Sequence, residues 1–479
     1  MCGGLIQIVA IGYANNYLNN NDIKFSYFKK VYTQHTPFLK YNIDICSGTL
    51  NNENIIDNIY KIEKAKGDLL SDLFIEFEIV GNPDMSKFIR GFATGLINSV
   101  DLIIGGMFID KLDAHNINIY NELWLKEAKR QYNDYLCGNK VNQGQKHFIV
   151  KLPFYFTKSL TKSLPLCSLY YHNVELRIKF NSIKNVIRNN QEINYNIAES
   201  NLINNISRMD ITDDNMNTDD NMNTDDNMNT DDNMNTDTNF SINYKIIGEF
   251  IILSDIERNM FINTTLEYVI EQNQYSINPI NNYDTKLKLY LHNCIKEMNF
   301  LFKYINNDGK YYNDELLKYI NMINSKFTLK LNHLDRFSVQ SSQHFLIEQN
   351  SKYHSTIPRT KTYIPILNNN NIKTIKTNIK NSIINTELIK QQINNAIEYL
   401  EIDEGQYIYT YSFSLEPENN NTETGCLNAS RIDTIELNLN IPINIPLNKN
   451  EYKLVCQIHA KSINILNIAD GIAKLEFGL

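Results

Sequence analysis

Alternation of apolar and polar side chains with a period of two residues recurs from one end of the chain to the other, and no other feature restricts its fold as much. In 73–79 the odd positions Leu73, Ile75, Phe77 and Ile79 are apolar, while Glu76 and Glu78 face the other way. Val174, Leu176, Ile178 and Phe180 alternate with Glu175, Arg177 and Lys179. The pattern returns at Leu287, Leu289 and Leu291, at Phe327, Leu329 and Leu331, from Tyr407 to Leu415, and from Ile435 to Ile443. Successive side chains of a strand point to opposite faces, so each stripe predicts a strand with one buried and one polar face, as in antiparallel sandwiches. No regular helix follows each strand, which disfavours a parallel α/β sheet. The expected class is all-β.

Composition agrees. A chain of 479 residues with 42% hydrophobic content can fill more than one core. Its aromatic residues are almost all Tyr and Phe, 29 and 22 against a single Trp, which suits half-buried pleated surfaces. The abundance of Asn, Ile and Lys is read as the mark of an AT-rich genome and carries no functional weight. A net charge of −8, well mixed along the sequence, lacks the clustered cations that duplex DNA demands, so no direct nucleic-acid binding is expected. Seven cysteines at 2, 46, 137, 167, 294, 426 and 456 show no CxxC spacing and no zinc-like partner histidine, the pattern of reduced thiols in a cytosolic product. The apolar run Leu5–Ala14, broken by Gln7 and Gly12, is too short to cross a bilayer, and no basic region precedes it. A secretory signal is therefore not expected.

Two short helices are expected among the strands. Ser254-Asp255-Ile256-Glu257 is a capping box, and Ile389, Ile393, Ala396, Ile397 and Leu400 fall on one face of a helix starting near Asn385 or Thr386. From Asp213 to Thr236 the hexapeptide DDNMNT repeats four times. So polar a tract cannot bury enough surface to offset its ordering entropy, and it is expected as an exposed, disordered loop. It lacks the turn Gly and bidentate Glu of a calcium loop. The chain is expected to divide into 1–262 and 263–479, the first enlarged by the 213–236 repeat and the second by a polar insertion at about 361–404.

No catalytic, cofactor-binding or metal-binding residue is assigned. The nine histidines never come within two residues of each other, so the His pair of a metal-dependent cupin is missing, and HExxH, GxSxG and phosphate-cradling loops do not occur. Gly105-Gly106 reads as a hairpin turn, and His172 as a structural imidazole at a strand entrance. Arg431 and Asp433 read as a salt bridge or subunit contact on one strand face. Asn-x-Ser/Thr sequons at Asn205, Asn239, Asn263, Asn420 and Asn428 are read as chance matches.

Five collinear blocks carry a resemblance. Gly3-Gly4-Leu5-Ile6-Gln7-Ile8-Val9-Ala10, Tyr17-Leu18, Phe28-Lys29-Lys30-Val31-Tyr32 and His35-Thr36-Pro37-Phe38 form the first. Val100 to Gly106 with Ile109-Asp110-Lys111 form the second, and Leu152 to Phe156, Leu164-Pro165-Leu166 and Tyr171-His172-Asn173-Val174 the third. Leu253 to Arg258 with Glu267 to Gln272, and Tyr409 to Pro417 with Gly425 to Asp433, complete the series. Together they resemble the major capsid proteins of nucleocytoplasmic large DNA viruses. The chain departs from that pattern at Pro37, which replaces an Asn, at Cys294, which replaces a Pro, and at Leu427 and Ala429; its end lacks the usual glycine-rich finish.

The resemblance implies two consecutive antiparallel eight-stranded jelly rolls with short helices in loops, and three chains in a pseudo-hexagonal capsomer of an icosahedral shell. The implied partners are the chain itself as a homotrimer, neighbouring capsomers, and minor capsid proteins or the inner membrane side through Gly3–Ala10. The implied location is the virion, after assembly in the host cytoplasm, with no enzymatic activity. A minor or paralogous capsid role and a carbohydrate-binding attachment module are the alternatives.

Overall fold

The computed structural model describes residues 35–50, 56–81, 83–142, 144–187, 240–307, 309–311, 316–367, 397–419 and 422–478. The DDNMNT repeat, the Gly3–Ala10 segment and residues 368–396 lie outside them.

Eight principal strands make up the first half: β1 (Phe38–Leu50), β2 (Ile56–Ile62), β3 (Leu69–Val80), β4 (Ile97–Ile104), β5 (Met107–Asp113), β6 (His147–Lys151), β7 (Val174–Phe180) and β8 (Ser241–Leu253). They pair antiparallel in two sheets, β1-β8-β3-β6 and β2-β7-β4-β5. The second half repeats the set: β9 (Leu266–Pro279), β10 (Asp284–Leu289), β11 (Cys294–Ile305), β12 (Lys326–Leu331), β13 (Leu334–Asp335), β14 (Tyr409–Ser412), β15 (Ile435–Asn440) and β16 (Tyr452–Ala469). Its sheets run β9-β16-β11-β14 and β10-β15-β12-β13. Adding eight to every strand number of the first pair of sheets reproduces the second pair. The chain is two consecutive jelly rolls wound in the same order.

Alternation explains the local structure where a strand has one wet face. Leu73, Ile75, Phe77 and Ile79 of β3 are buried, with half-buried Phe74, Glu76 and Glu78 between them, and β7 buries its alternate residues in the same rhythm. Phe77 meets Phe180 edge-on across the sandwich at 6.1 Å, and Phe180 lies 4.6 Å from Tyr244 of β8. In the second roll Phe302, Phe327 and Tyr409 pack mutually at 5.6 to 5.7 Å. Gly105 and Gly106, at φ +58° and +78°, form the two-residue turn between β4 and β5. The ring of His172 covers Gly105 so closely that a Cβ there would sit 2.4 Å from it. The capping box forms too: the Ser254 hydroxyl accepts from the Glu257 amide at the start of helix α1 (Asp255–Asn263), which links β8 to β9. Arg258 then clamps α1 to Asp68 through two hydrogen bonds of 2.8 and 2.9 Å.

Several expectations need correction. The Tyr407–Leu415 stripe is a strand only over Tyr409–Ser412, where all four residues are buried, so it has no wet face. The Ile435–Ile443 strand stops at Asn440, because Pro442 cannot continue the ladder, and Ile443 is 81% exposed. Leu291 lies beyond the end of β10. The last positions of the expected second helix, Ile397 and Leu400, belong instead to a strand, Ile397–Asp403, paired antiparallel with Lys361–Leu367. Ile397, Tyr399, Leu400 and Ile402 fit neither period cleanly over so short a window, and pairing decides between them. Helices that periodicity missed, Ala114–Ile119, Glu127–Leu136 and Gln349–Tyr353, lie in the β5–β6 and β13–β14 connections. Arg431 ends a one-turn helix and Asp433 follows it; both are exposed, and no ion pair joins them among the described residues.

The two rolls point the same way. Connections leave each roll alternately at two ends, and the β3–β4 loop of the first roll meets the β13–β14 connection of the second through the Arg90–Glu404 ion pair. At the opposite end the Tyr171 amide donates to the Gly471 carbonyl, and the Ala473 amide to Nδ1 of His172. Phe180→Ala should cost about 3–5 kcal/mol, because it opens a cavity between the sheets, whereas Ile443→Ser should change stability by less than about 0.5 kcal/mol. Chemical denaturation of both variants checks this; equal losses would contradict the core assignment.

Candidate functional site: the polar seam between the rolls

Strand β11 is buried along nearly its whole length, on both faces. One face, with Met298, Phe300 and Phe302, fills the second core. The other carries Glu297, Asn299 and Lys303, all buried. Strand β16 repeats the arrangement, with Cys456, Ile458 and Ala460 inward and Gln457, His459 and Lys461 outward, also buried. The register sets Glu297 opposite Lys461 and Asn299 opposite His459, so the outer face of the β9-β16-β11-β14 sheet is a ladder of polar side chains. It is covered by the β5–β6 connection of the first roll. Asn116 Oδ1 lies 3.1 Å from His459 Nδ1, and Asn118 donates to Gln406 at 2.7 Å.

At the centre of the seam four carboxylates, Glu271, Glu297, Glu418 and Glu423, face Lys158, Lys296, Lys461 and His354. Glu271 takes Lys158 at 2.5 Å and Lys296 at 2.7 Å. Glu297 takes Lys461 at 3.1 Å and His354 at 3.3 Å, while the other ring nitrogen of His354 lies 3.3 Å from Glu418. Trp124, the one tryptophan, lies between two lysines: Lys461 Nζ is 3.3 Å and Lys158 Nζ 4.7 Å from its ring centre. Burial alone would raise the Glu271 carboxyl, but Lys158 and Lys296 bring it down to about 2. Burial brings the Lys461 ammonium down to about 8 despite Glu297. Burial opposes the charged form of His354, yet Glu297 and Glu418 hold its imidazole above its ordinary value.

Further bolts flank this cluster. The Arg359 guanidinium of the second roll spans Glu122 and Asp134 of the first, with Nε 3.1 Å from Glu122 and Nη2 2.8 Å from Asp134. Asp110 accepts from the Asn273 amide at 2.8 Å, and burial pushes its carboxyl up to about 7. Apolar exchange accompanies the polar bolts: Ile270, Leu466 and Ile468 join the first core, and Ile119 and Leu123 join the second. With every carboxylate of the central cluster met by a cation, the arrangement holds two rolls in one fixed relation.

Nothing in the periodicity announced these residues, since a polar face buried by another part of the chain reads as a wet face. Trp124 and the run of buried charge are visible only in three dimensions. His172 stands at the entrance of β7 as expected. Among the described residues, no group of three or more His, Cys, Asp or Glu is placed to hold a metal ion, and no helix is long and apolar enough to cross a membrane. The cysteines described are free thiols. An open polar depression lined by Asn306, Asn307, Asn448, Asn450, Glu451 and Lys453 lies at the end of the second roll that bears the β13–β14 connection.

A family model described as the major capsid protein N-terminus matches residues 26–212. The chain is 24% identical, over the full length of both proteins, to the major capsid protein of Pyramimonas orientalis virus. It is 33% identical to the major capsid protein of Paramecium bursaria Chlorella virus 1 across 37% of this chain and 40% of that one. Among solved structures, the capsid subunit of that Chlorella virus superposes with a TM-score of 0.63 at 19% identity, covering 95% of this chain and 100% of the other. The Faustovirus major capsid protein superposes with a TM-score of 0.58 at 8% identity, covering 97% and 96%.

The His354 contacts predict a sign for the pH dependence of stability. A folded-state value above 6.5 gives stabilisation that is complete below pH 6.5 and is lost as pH rises through the raised value. Lys461 contributes with the opposite sign, but only above about 8. From pH 6.5 towards 8 the thermal midpoint should therefore fall, and His354→Gln should flatten the fall. Identical slopes in both proteins would contradict the role given to His354.

Proposed function

We infer that this chain, a member of the double jelly-roll major capsid protein family of nucleocytoplasmic large DNA viruses, is a structural subunit of an icosahedral shell, its copies associating in threes as pseudo-hexagonal capsomers. One observation carries the reading: the same eight-strand order occurs twice in one chain, and the two rolls are fixed together by ion pairs from Lys158 to Glu271 and from Arg359 to Glu122 and Asp134. Three such chains around a threefold axis offer six similar sandwiches, which tile a flat facet. Obligate association of this kind calls for an interface above about 2,000 Å². The rolls are assigned to 1–262 and 263–479, with α1 as the joint. No catalytic residue, cofactor or metal enters this function.

The polarity of the rolls supports an orientation. Residues 188–239 leave from Ile187 and return at Phe240, beside Phe88 of the β3–β4 loop, with the Phe88 and Phe240 rings 5.7 Å apart. The insertion at 361–404 ends at Glu404, paired with Arg90 of that same loop. The chain enters β1 at Phe38, at the opposite end, where Thr36 bonds Glu257 of α1. In this reading the repeat and the insertion face outward, where loops can lengthen without disturbing the sheets. The Gly3–Ala10 segment lies at the base, towards minor capsid proteins and the inner membrane. Assembly in the host cytoplasm completes the reading.

Light scattering on the purified chain should give a stable particle of three times 55.7 kDa. A monomer that binds a sugar at the polar depression would replace the shell reading with that of an attachment module. Copy number in purified virions separates a major from a minor or paralogous subunit. Proteolysis of intact particles should cut within 188–239 and spare the amino-terminal segment; the reverse pattern would invert the orientation.

A further inference from the structure

We propose that Cys294 and Cys426 are an oxidisable thiol pair that closes into a reversible disulfide, a modification site at the end of the second roll opposite its β13–β14 connection. Cys294 opens strand β11, and Leu427–Asn428 pairs with it antiparallel, Cys294 opposite Asn428 and Ile295 opposite Leu427. Alternation then puts residues 294, 426 and 428 on one face of this short ladder. The two thiols are neighbours, near enough for Cys294 to help push the Cys426 thiol up. The backbone around them is pinned from both sides. The Asn293 amide donates to the Ser430 hydroxyl at 2.8 Å, and the Ala429 amide to the Asn293 carbonyl at 2.9 Å. Gly425, at φ +125°, turns the chain into the ladder close against the Phe413 carbonyl. Neighbouring thiols on one face of a pinned ladder are placed for a disulfide.

Accessibility sets the order of events. Cys426 is the exposed cysteine among the six described, whereas Cys294 is half-buried and Cys137 and Cys456 are buried. The oxidant is a low-molecular-weight disulfide. The Cys426 thiolate attacks one of its sulfurs and expels one thiolate, forming a mixed disulfide. The Cys294 thiolate then attacks Cys426 Sγ, expels the second thiolate and leaves the intramolecular S–S bond. The pair gives up two electrons and two protons, and one small disulfide becomes two thiols. Burial, with Cys294 and Glu423 alongside, pushes the Cys426 thiol up to about 11, so little thiolate exists near neutrality and the pair stays reduced under mild conditions.

Closing the pair has a structural consequence. The β14–β15 connection carries Glu418 and Glu423 into the seam, and β11 carries Lys296 and Glu297. A bond between Cys426 and Cys294 joins those two segments covalently, so oxidation fastens one wall of the ion cluster. This inference does not depend on the shell reading.

The test incubates the folded full-length chain with oxidised glutathione at pH 9, alkylates the remaining thiols, and maps peptides by mass. A peptide pair linked through 294 and 426 is expected, and the oxidised protein should unfold roughly 5 °C higher until dithiothreitol reverses the shift. Cys294→Ser should instead keep glutathione on Cys426 as a persistent mixed disulfide. Two outcomes would overturn the proposal: wild-type protein that accumulates the Cys426–glutathione adduct without the 294–426 link, or both thiols recovered fully alkylated.

Discussion

The structure depends on one constraint: the outer face of the β9-β16-β11-β14 sheet is polar, yet it is buried. Glu297, Asn299, His459 and Lys461 cannot be left dry without partners, because each unpaired group would bear its full desolvation cost. The first roll supplies the cover and part of the pairing. Trp124 packs under Lys158 and Lys461, Asn116 meets His459, and Lys158 reaches Glu271. Attraction between the rolls comes from the apolar residues each lends the other, Ile270, Leu466 and Ile468 in one direction and Ile119 and Leu123 in the other. The charges specify rather than strengthen: other relative positions of the rolls would strand carboxylates and ammonium groups in a medium that cannot solvate them.

That specificity is what a tandem building block requires. Two sandwiches on a loose linker would take up varying angles, and a regular assembly cannot be built from variable parts. Here the strand orders match, both rolls point the same way, and the long connections gather at one end.

The legible part of the fold was the part with one wet face. The β3 and β7 stripes stood out because Glu76, Glu78, Arg177 and Lys179 reach towards solvent between buried neighbours, and the β4–β5 turn was announced by Gly105-Gly106. Strands β11 and β16 were invisible to the same reasoning, although they form the middle of the second roll. Lys296 and Glu297 of β11 resemble surface residues in sequence, and burial by another part of the chain leaves no local mark. For the same reason the seam could not be foreseen, since its partners are separated by up to 343 positions, as in the Asn116–His459 contact. The helix expected through Ile397 and Leu400 failed for a related reason: a few apolar positions fit neither period cleanly, and pairing with Lys361–Leu367 decides. The double jelly roll itself was reached through five collinear blocks, and the duplicated strand order now gives it a physical basis.

The most direct test of this account is electron microscopy of the purified oligomer, averaged in projection down its symmetry axis. Six lobes on a hexagonal outline, in three pairs whose members keep one separation in every class, are the expected result. Lobes whose separation within a pair varies between classes, or particles without threefold symmetry, would contradict a rigid tandem unit assembling in threes.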